Sequence, residues 1–275
     1  GSVYPGTYKV SVQGGNSSLP QGTPYVVMPA LVVNGNLSGL TLDVRAYSVA
    51  GTVTLNGAQP TSTCSSSDRA TVGFVDSVNG YSFNIAVPCN GATTPFTFSG
   101  NIYPGTYKVS VSGGNSTLPQ GTPYVANAAL TVNGNLSGLV LDVKSFTVAG
   151  TVTLNGAQPT STCSSSDRAT VALVDSANGY TFNIAVPCNG ATTPFTFTGP
   201  VYPGTYKVSV LGGNSTLPQG TPYVALAALA VNGNLSGLTL DVRAFTVSGT
   251  VTLNGGQPTS TCSSSDRATV RMVDS

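Results

Sequence analysis

The chain contains no histidine, no tryptophan and no glutamate. Charged residues make up 7% of its 275 positions, where an ordinary soluble domain carries about 25%. Each absence excludes a class of chemistry. Without histidine there is no Ser-His-Asp triad, no Cys-His pair and no imidazole metal ligand. Without glutamate the nine aspartates are the only side-chain carboxylates. Ten Lys and Arg against nine Asp leave a net charge of +1, so there is no electrostatic footprint for nucleic acid. No apolar run approaches the roughly 20 residues of a membrane-spanning helix, and no membrane insertion is expected within this segment. Hydrophobic residues are nevertheless 40% of the chain. That is enough for cores, and it is unlike the composition of a disordered chain.

What the chain has in abundance is itself. The string YPGTYKVSV begins at Tyr4, Tyr103 and Tyr202. The string STCSSSDRATV places its cysteine at Cys64, Cys163 and Cys262, and VPCNGATTPF places its cysteine at Cys89 and Cys188. Every offset is 99 residues, and residues 47–145 differ from 146–244 at 15 of 99 positions. A period of this length is a whole domain and not a solenoid turn. The expected organisation is the C-terminal part of a repeat over 1–46, complete repeats over 47–145 and 146–244, and the N-terminal part of another over 245–275. The two end pieces together lack the counterpart of Val78–Ser99. The chain therefore reads as a window on a longer repetitive polypeptide, the alternative being a subunit whose ends are completed by neighbouring chains.

The apolar runs alternate with period two, the signature of strands. Val49, Val53 and Leu55 share a face, with Thr52 and Thr54 opposite. Tyr81, Phe83, Ile85 and Val87 alternate with Ser82, Asn84 and Ala86; Tyr107, Val109 and Val111 alternate with Lys108 and Ser110. Val72 with Phe74, Phe96 with Phe98, and Leu139, Leu141 and Val143 complete the set. Differences between copies sort the faces. One position reads Gly73, Ala172 and Arg271 and should face solvent; its neighbour reads Phe74, Leu173 and Met272 and should face a core. Short segments of Val, Thr, Tyr and Phe bounded by Gly, Asn and Pro point to an all-β fold, a tandem array of antiparallel Ig-like β-sandwiches with about seven strands each. Asn79-Gly80 reads as a tight hairpin turn.

Gly51-Thr-Val-Thr-Leu-Asn-Gly-Ala-Gln-Pro60, followed by Tyr103-Pro-Gly-Thr-Tyr-Lys-Val-Ser-Val111, resembles the carboxypeptidase regulatory-like and Cna-B-like sandwich modules. Those modules open with a G-x-V strand and a G-x-P turn and carry a P-G-x-Y strand later. The resemblance implies non-catalytic spacers, stalks and surface-protein domains. This chain departs from it in its cysteine pair and in the Ser65–Ser67 loop. The Lys–Asn isopeptide of some Cna-B modules is not expected, since the first strand has no Lys and the chain no Glu.

The cysteines form two pairs and one remainder. Cys64 and Cys89 lie 25 residues apart, as do Cys163 and Cys188, and Cys262 would pair beyond the chain end. Disulfides are the expected state, and they imply an extracellular or cell-surface location. Reduced buried thiols are one alternative. A metal site is another, but it needs more ligands than two cysteines. Asn-x-Ser/Thr sequons occur at Asn16, Asn36, Asn115, Asn135, Asn214 and Asn234. They are glycosylation acceptors in a secreted chain or a coincidence of an Asn- and Ser-rich composition. Asp68-Arg69 beside the first cysteine reads as a local ion pair, and Asp76 as the start of a turn. With Asp142 on a third element, no two carboxylates are placed for acid/base work. The Gly-Gly pairs at Gly113 and Gly212 precede no helix, so they cradle no phosphate.

No catalytic, cofactor-binding or metal site is expected, and no enzyme. The leading functional reading is a structural segment of an extracellular fibre, filament or stalk that associates with itself. Linkerless junctions such as Leu141–Leu154 should make it stiff, since a flexible tether would be Gly/Ser-rich. The rival is a multivalent adhesin or glycan-binding array gaining avidity from repetition. Tyr25, Tyr124 and Tyr223 are the aromatic residues that would serve a glycan or cell-surface ligand, unless they pack in a core.

Overall fold

The computed structural model describes residues 1–275 apart from 16, 65–66, 92, 164–165, 260–267 and 273–275. Among the described residues there is no helix, and sixteen strands are formed. Residues 1–242 and 243–275 are two separate units.

The first unit opens with a hairpin of β1 (Gly6–Val12) and β2 (Tyr25–Val33). Seven strands follow: β3 (Tyr47–Leu55), β4 (Ala70–Asp76), β5 (Tyr81–Val87), β6 (Thr97–Ile102), β7 (Gly105–Gly113), β8 (Tyr124–Val132) and β9 (Leu136–Val143). The same series recurs as β10 (Phe146–Leu154), β11 (Ala169–Asp175), β12 (Tyr180–Val186), β13 (Thr196–Val201), β14 (Gly204–Gly212), β15 (Tyr223–Val231) and β16 (Leu235–Val242). Each series makes a three-stranded sheet, ordered β6-β3-β9 or β13-β10-β16, and a four-stranded sheet, ordered β5-β4-β7-β8 or β12-β11-β14-β15. The chain is thus a tandem array of β-sandwiches. One pairing departs from an all-antiparallel arrangement: β3 runs parallel to β9, and β10 to β16. A repeat whose first and last strands run the same way takes the chain in at one end and releases it at the other. The next repeat can then begin without a connecting segment.

Alternation fills the core. Val49, Val53, Phe74, Phe83, Phe98 and Tyr107 are all at most 3% exposed. Phe74 and Leu173 are buried, while Gly73 and Ala172 lie on the opposite, partly exposed face. The two motifs that resemble known modules each have a steric cause. A Cβ on Gly51 would lie 2.2 Å from the Leu139 carbonyl oxygen. The β9 register slips there, around Gly138 with its φ of 70°, and pushes that carbonyl against β3. A Cβ on Gly105 would lie 2.3 Å from Asp76 Oδ2. Two residues on, the Tyr107 hydroxyl donates to the Tyr103 carbonyl at 2.9 Å, the tyrosine-corner device of sandwich folds.

Asp76 does start a turn, but the β4–β5 hairpin turns over four residues, Ser77 to Gly80, and not over Asn79-Gly80 alone. Its carboxylate accepts from the backbone N–H groups of Val78, Asn79 and Thr106 and from the Asn79 amide. The longer loop lets one buried carboxylate stitch the hairpin to the start of β7. Burial by itself would raise the Asp76 carboxyl, yet these hydrogen bonds hold it below the usual carboxylate range.

In the second unit the described residues form no strand, only an isolated bridge between Leu253 and Gly256.

Candidate functional site at the repeat junctions

Cys64 and Cys89 are joined, as are Cys163 and Cys188, each with 5.3 Å between Cα atoms. Cys262 lies outside the described residues. Arg69 lies beside the first bridge in sequence. It does not pair with Asp68, whose side chain is exposed. Arg69 is fully buried. Its guanidinium donates to the carbonyls of Pro88, Gly91, Thr94 and Pro95, to Thr94 Oγ1 and to Asn90 Oδ1, at 2.8 to 3.2 Å. It also lies 4.2 Å over the Phe96 ring. A planar fork of five donors suits a loop whose carbonyls turn inward. A long-range loop clasp therefore replaces the ion pair that adjacency in sequence implied. Arg168 repeats the arrangement.

The remaining expected sites separate clearly. Asp142 accepts from Thr54 Oγ1 and the Gly57 N–H and pairs with Lys144, far along the chain from Asp76 and on a different sheet. Gly113 and Gly212 end their strands against the backbone carbonyls of Leu118–Pro119 and Leu217–Pro218. The sequons fall into two classes. Asn36, Asn135 and Asn234 are exposed, and the last two fix only their side-chain oxygens, on the N–H groups of Ser48 and Thr147. Asn115 and Asn214 are half-buried, and their carbonyls and side-chain oxygens accept from Ser62, Thr63, Ser161 and Thr162. Asn16 lies outside the described residues.

Tyr25, Tyr124 and Tyr223 are all partly buried, and the first two pack where one repeat meets the next. Tyr124 lies 6.3 Å from Tyr180 and 5.0 Å from Tyr202 between ring centroids. Tyr25 lies 6.0 Å from Tyr81 and 4.8 Å from Tyr103. Burial pushes the phenols of Tyr81, Tyr103, Tyr124 and Tyr202 above their ordinary value, and neighbouring tyrosines add to the shift. The loops before Tyr25 and Tyr124 lie along the edge strand of the following repeat. Thr122 Oγ1 accepts from the Thr181 N–H at 2.9 Å and donates to its carbonyl at 3.2 Å. Thr23 does the same with Ser82. Tyr103 and Tyr202 reach back to the Pro20 and Pro119 carbonyls. On the other side of the first complete junction only Lys144 and Ser145 separate β9 from β10. Asn56 grips Ser145 there: its Nδ2 donates to the Ser145 carbonyl and its Oδ1 accepts the Ser145 N–H. Sequence reasoning missed the role of Thr23 and Thr122. The repeated Gln-Gly-Thr-Pro-Tyr string marked the loop, and nothing in it identified the partner strand.

Between loop and strand each junction leaves a groove. The first, about 360 Å³, is bounded by Leu19, Pro20, Asn84, Ile85, Ala86 and Gly100 among others. The second, about 440 Å³, is bounded by the equivalent Leu118, Pro119, Asn183, Ile184, Ala185 and Gly199. No charged residue lines either groove.

No family model and no curated protein matches the chain. Among solved structures, a leucine-rich repeat protein from Bacteroides thetaiotaomicron matches over 72% of this chain at 15% identity and a TM-score of 0.28, and the chain spans 27% of it. A DUF3823 family protein from Parabacteroides merdae matches over 63% of this chain and 95% of its own, at 14% identity and a TM-score of 0.29. A C-terminal fragment of the pilus adhesin SpaC from Lactobacillus rhamnosus GG matches over 74% of this chain and 100% of its own, at 14% identity and a TM-score of 0.24. Likenesses this distant carry no argument about function.

Proposed function

We propose that the chain is a stiff structural segment of an extracellular fibre or surface stalk, organised as repeats over 47–145 and 146–244 flanked by the parts 1–46 and 245–275. The observation that carries this reading is the junction. The same threonine clasp and tyrosine cluster recur 99 residues apart, and two residues bridge one repeat to the next. Such a junction sets direction as well as spacing, which is what a spacer must do and a flexible tether does not. The disulfides support an oxidising compartment. Of the five sequons among the described residues, Asn36, Asn135 and Asn234 are the ones an oligosaccharide-transferring enzyme can reach.

Single-particle images of the chain should show one narrow distribution of the angle between the two complete repeats. A broad distribution would remove the stalk reading. The fibre form of the proposal adds self-association through strand edges, apolar patches and polar side chains. Exposed charges are screened over about 8 Å at physiological ionic strength, so an assembly held by charge loosens as salt rises. One held by edges does not. Filaments should therefore sediment equally at low and molar salt. Strands of six to eight residues span roughly 20–26 Å, and with loops the axial repeat should be about 30–45 Å. A strictly monomeric chain at high concentration in both conditions would leave the isolated stalk.

The rival reading, a multivalent binding array, is supported by the groove that recurs at both junctions. Tyr25 and Tyr124 do not serve it as open platforms, since their rings pack against those of the next repeat.

A further inference from the structure

Residues along a strand direct their backbone N–H and C=O groups to alternate sides. On β5, Ser82 directs both groups outward, onto Thr23. Asn84 and Ala86, two and four residues on, therefore also direct theirs outward, and β5 has no further strand beyond it. The same holds for Asn183 and Ala185 on β12, after Thr181. The preceding repeat supplies that one rung through a threonine side chain, and its residues Ser17 to Gln21, or Ser116 to Gln120, line the same groove.

Most other sheet edges are interrupted, β6 being an uncharged and unbroken exception over six residues. The pairing of β8 with β7 slips at two places and that of β9 with β3 at one, and the second copy of β6 contains Pro200. β5 and β12 are unbroken over seven paired residues and carry no charged side chain. An edge without bulge, charge or proline is a template for strand pairing. At both junctions the free stretch of that edge forms one wall of the uncharged groove.

We infer that each junction groove is a binding slot for an uncharged, extended polypeptide segment, which adds as a strand to β5 or β12 through the main-chain groups of Asn84 and Ala86, or of Asn183 and Ala185. The free rungs are main-chain donor–acceptor pairs about 7 Å apart, two residues of extended chain, which matches another backbone. A neutral glycan would instead want an open aromatic face. Here Phe83 and Phe182 turn into the core, and Tyr103 and Tyr202 are buried. Affinity in this mode comes from main-chain hydrogen bonds, with side-chain pockets adding selectivity.

The probe is the capped heptapeptide Thr-Val-Thr-Val-Thr-Val-Thr, added to the intact 275-residue chain. Amide hydrogen exchange is read by NMR at Asn84, Ala86, Asn183 and Ala185. The peptide should slow exchange at these four amides by about tenfold or more. A twin N-methylated at every residue should not, and neither should cellohexaose. Ala86→Pro and Ala185→Pro remove an outward donor and keep the inner ladder, so each should abolish protection in its own groove and leave the other intact. No slowing by the peptide overturns the inference. Equal slowing by the N-methylated twin, or by cellohexaose, also overturns it. The N-methylated comparison decides the matter even if a proline variant does not fold.

Discussion

The nonapeptide YPGTYKVSV occurs three times and has two different fates. In the complete repeats Tyr103 and Tyr202 are at most 1% exposed, while Tyr4 is 87% exposed. The local structure is nevertheless the same. Tyr8 donates to the Tyr4 carbonyl as Tyr107 does to Tyr103 and Tyr206 to Tyr202. The hairpin from Gly6 to Val33 keeps the pairing and the two register slips of its counterparts. The corner and the hairpin are therefore local properties of the string. Burial comes from strands far away in the chain, the counterparts of β3 to β6. A second comparison is sharper. Phe146–Leu154 is a strand between β13 and β16. Phe245–Leu253 differs from it only at Ser248 for Ala149 and is no strand, with Phe245 91% exposed. A strand without neighbours has no ladder to join.

The comparison can be broken most forcefully at the position occupied by Phe74, Leu173 and Met272. Phe74→Ala should cost its repeat about 3–5 kcal/mol and Leu173→Ala about 2–5 kcal/mol, the range for truncation in a packed core. Met272 is 69% exposed, and Met272→Ala should stay within about 0.5 kcal/mol. Urea unfolding of the three variants checks this, and equal costs would contradict the burial contrast.

A somewhat smaller effect is expected from the bridges. Replacing Cys64 and Cys89 together by serine should cost about 3.5 kcal/mol, the chain-entropy value for a loop of this length. The loss should be confined to the first complete repeat. Non-reducing peptide mapping should recover Cys64–Cys89 and Cys163–Cys188; a Cys89–Cys163 link would contradict the pairing.

The smallest effect separates the tyrosine corners. Burial pushes the Tyr107 and Tyr206 phenols above their ordinary value. Their folded value lies above the unfolded value near 10. The stability they contribute is thus fully present below about pH 10 and is lost as the pH rises through the folded value. Tyr107→Phe should cost about 0.5–1.5 kcal/mol at neutral pH, the worth of one hydrogen bond, and should flatten the alkaline loss. Tyr8→Phe, on the exposed hairpin, should change stability by less than about 0.5 kcal/mol. Thermal unfolding between pH 7 and 11 reads both.

Much of the site was out of reach of sequence reasoning for one physical reason. Periodicity reports which way a side chain points, and it does not report what it meets. Phe74 and Gly73 could be sorted because the copies vary in opposite ways at the two positions. Arg69 could not, because its partners are carbonyls 19 to 26 residues further on. Adjacency to Asp68 was the misleading local cue. Tyr124 was recognisable as an aromatic residue that recurs, but its setting between two repeats depends on Tyr180 and Tyr202, 56 and 78 residues later in the sequence.

By itself the sequence determined the 99-residue period, the alternating strands, the cysteine spacing and the all-β class, since these follow from local pattern and from self-similarity. The tertiary structure alone decided that β3 and β9 run parallel and that Gly51 and Gly105 must lack a side chain. It also decided that Arg69 clasps a loop and that each repeat covers part of its neighbour's strand edge. Each of these depends on bringing together groups that lie tens of residues apart, and the chain's hydrophobic rhythm carries no record of which of them will touch.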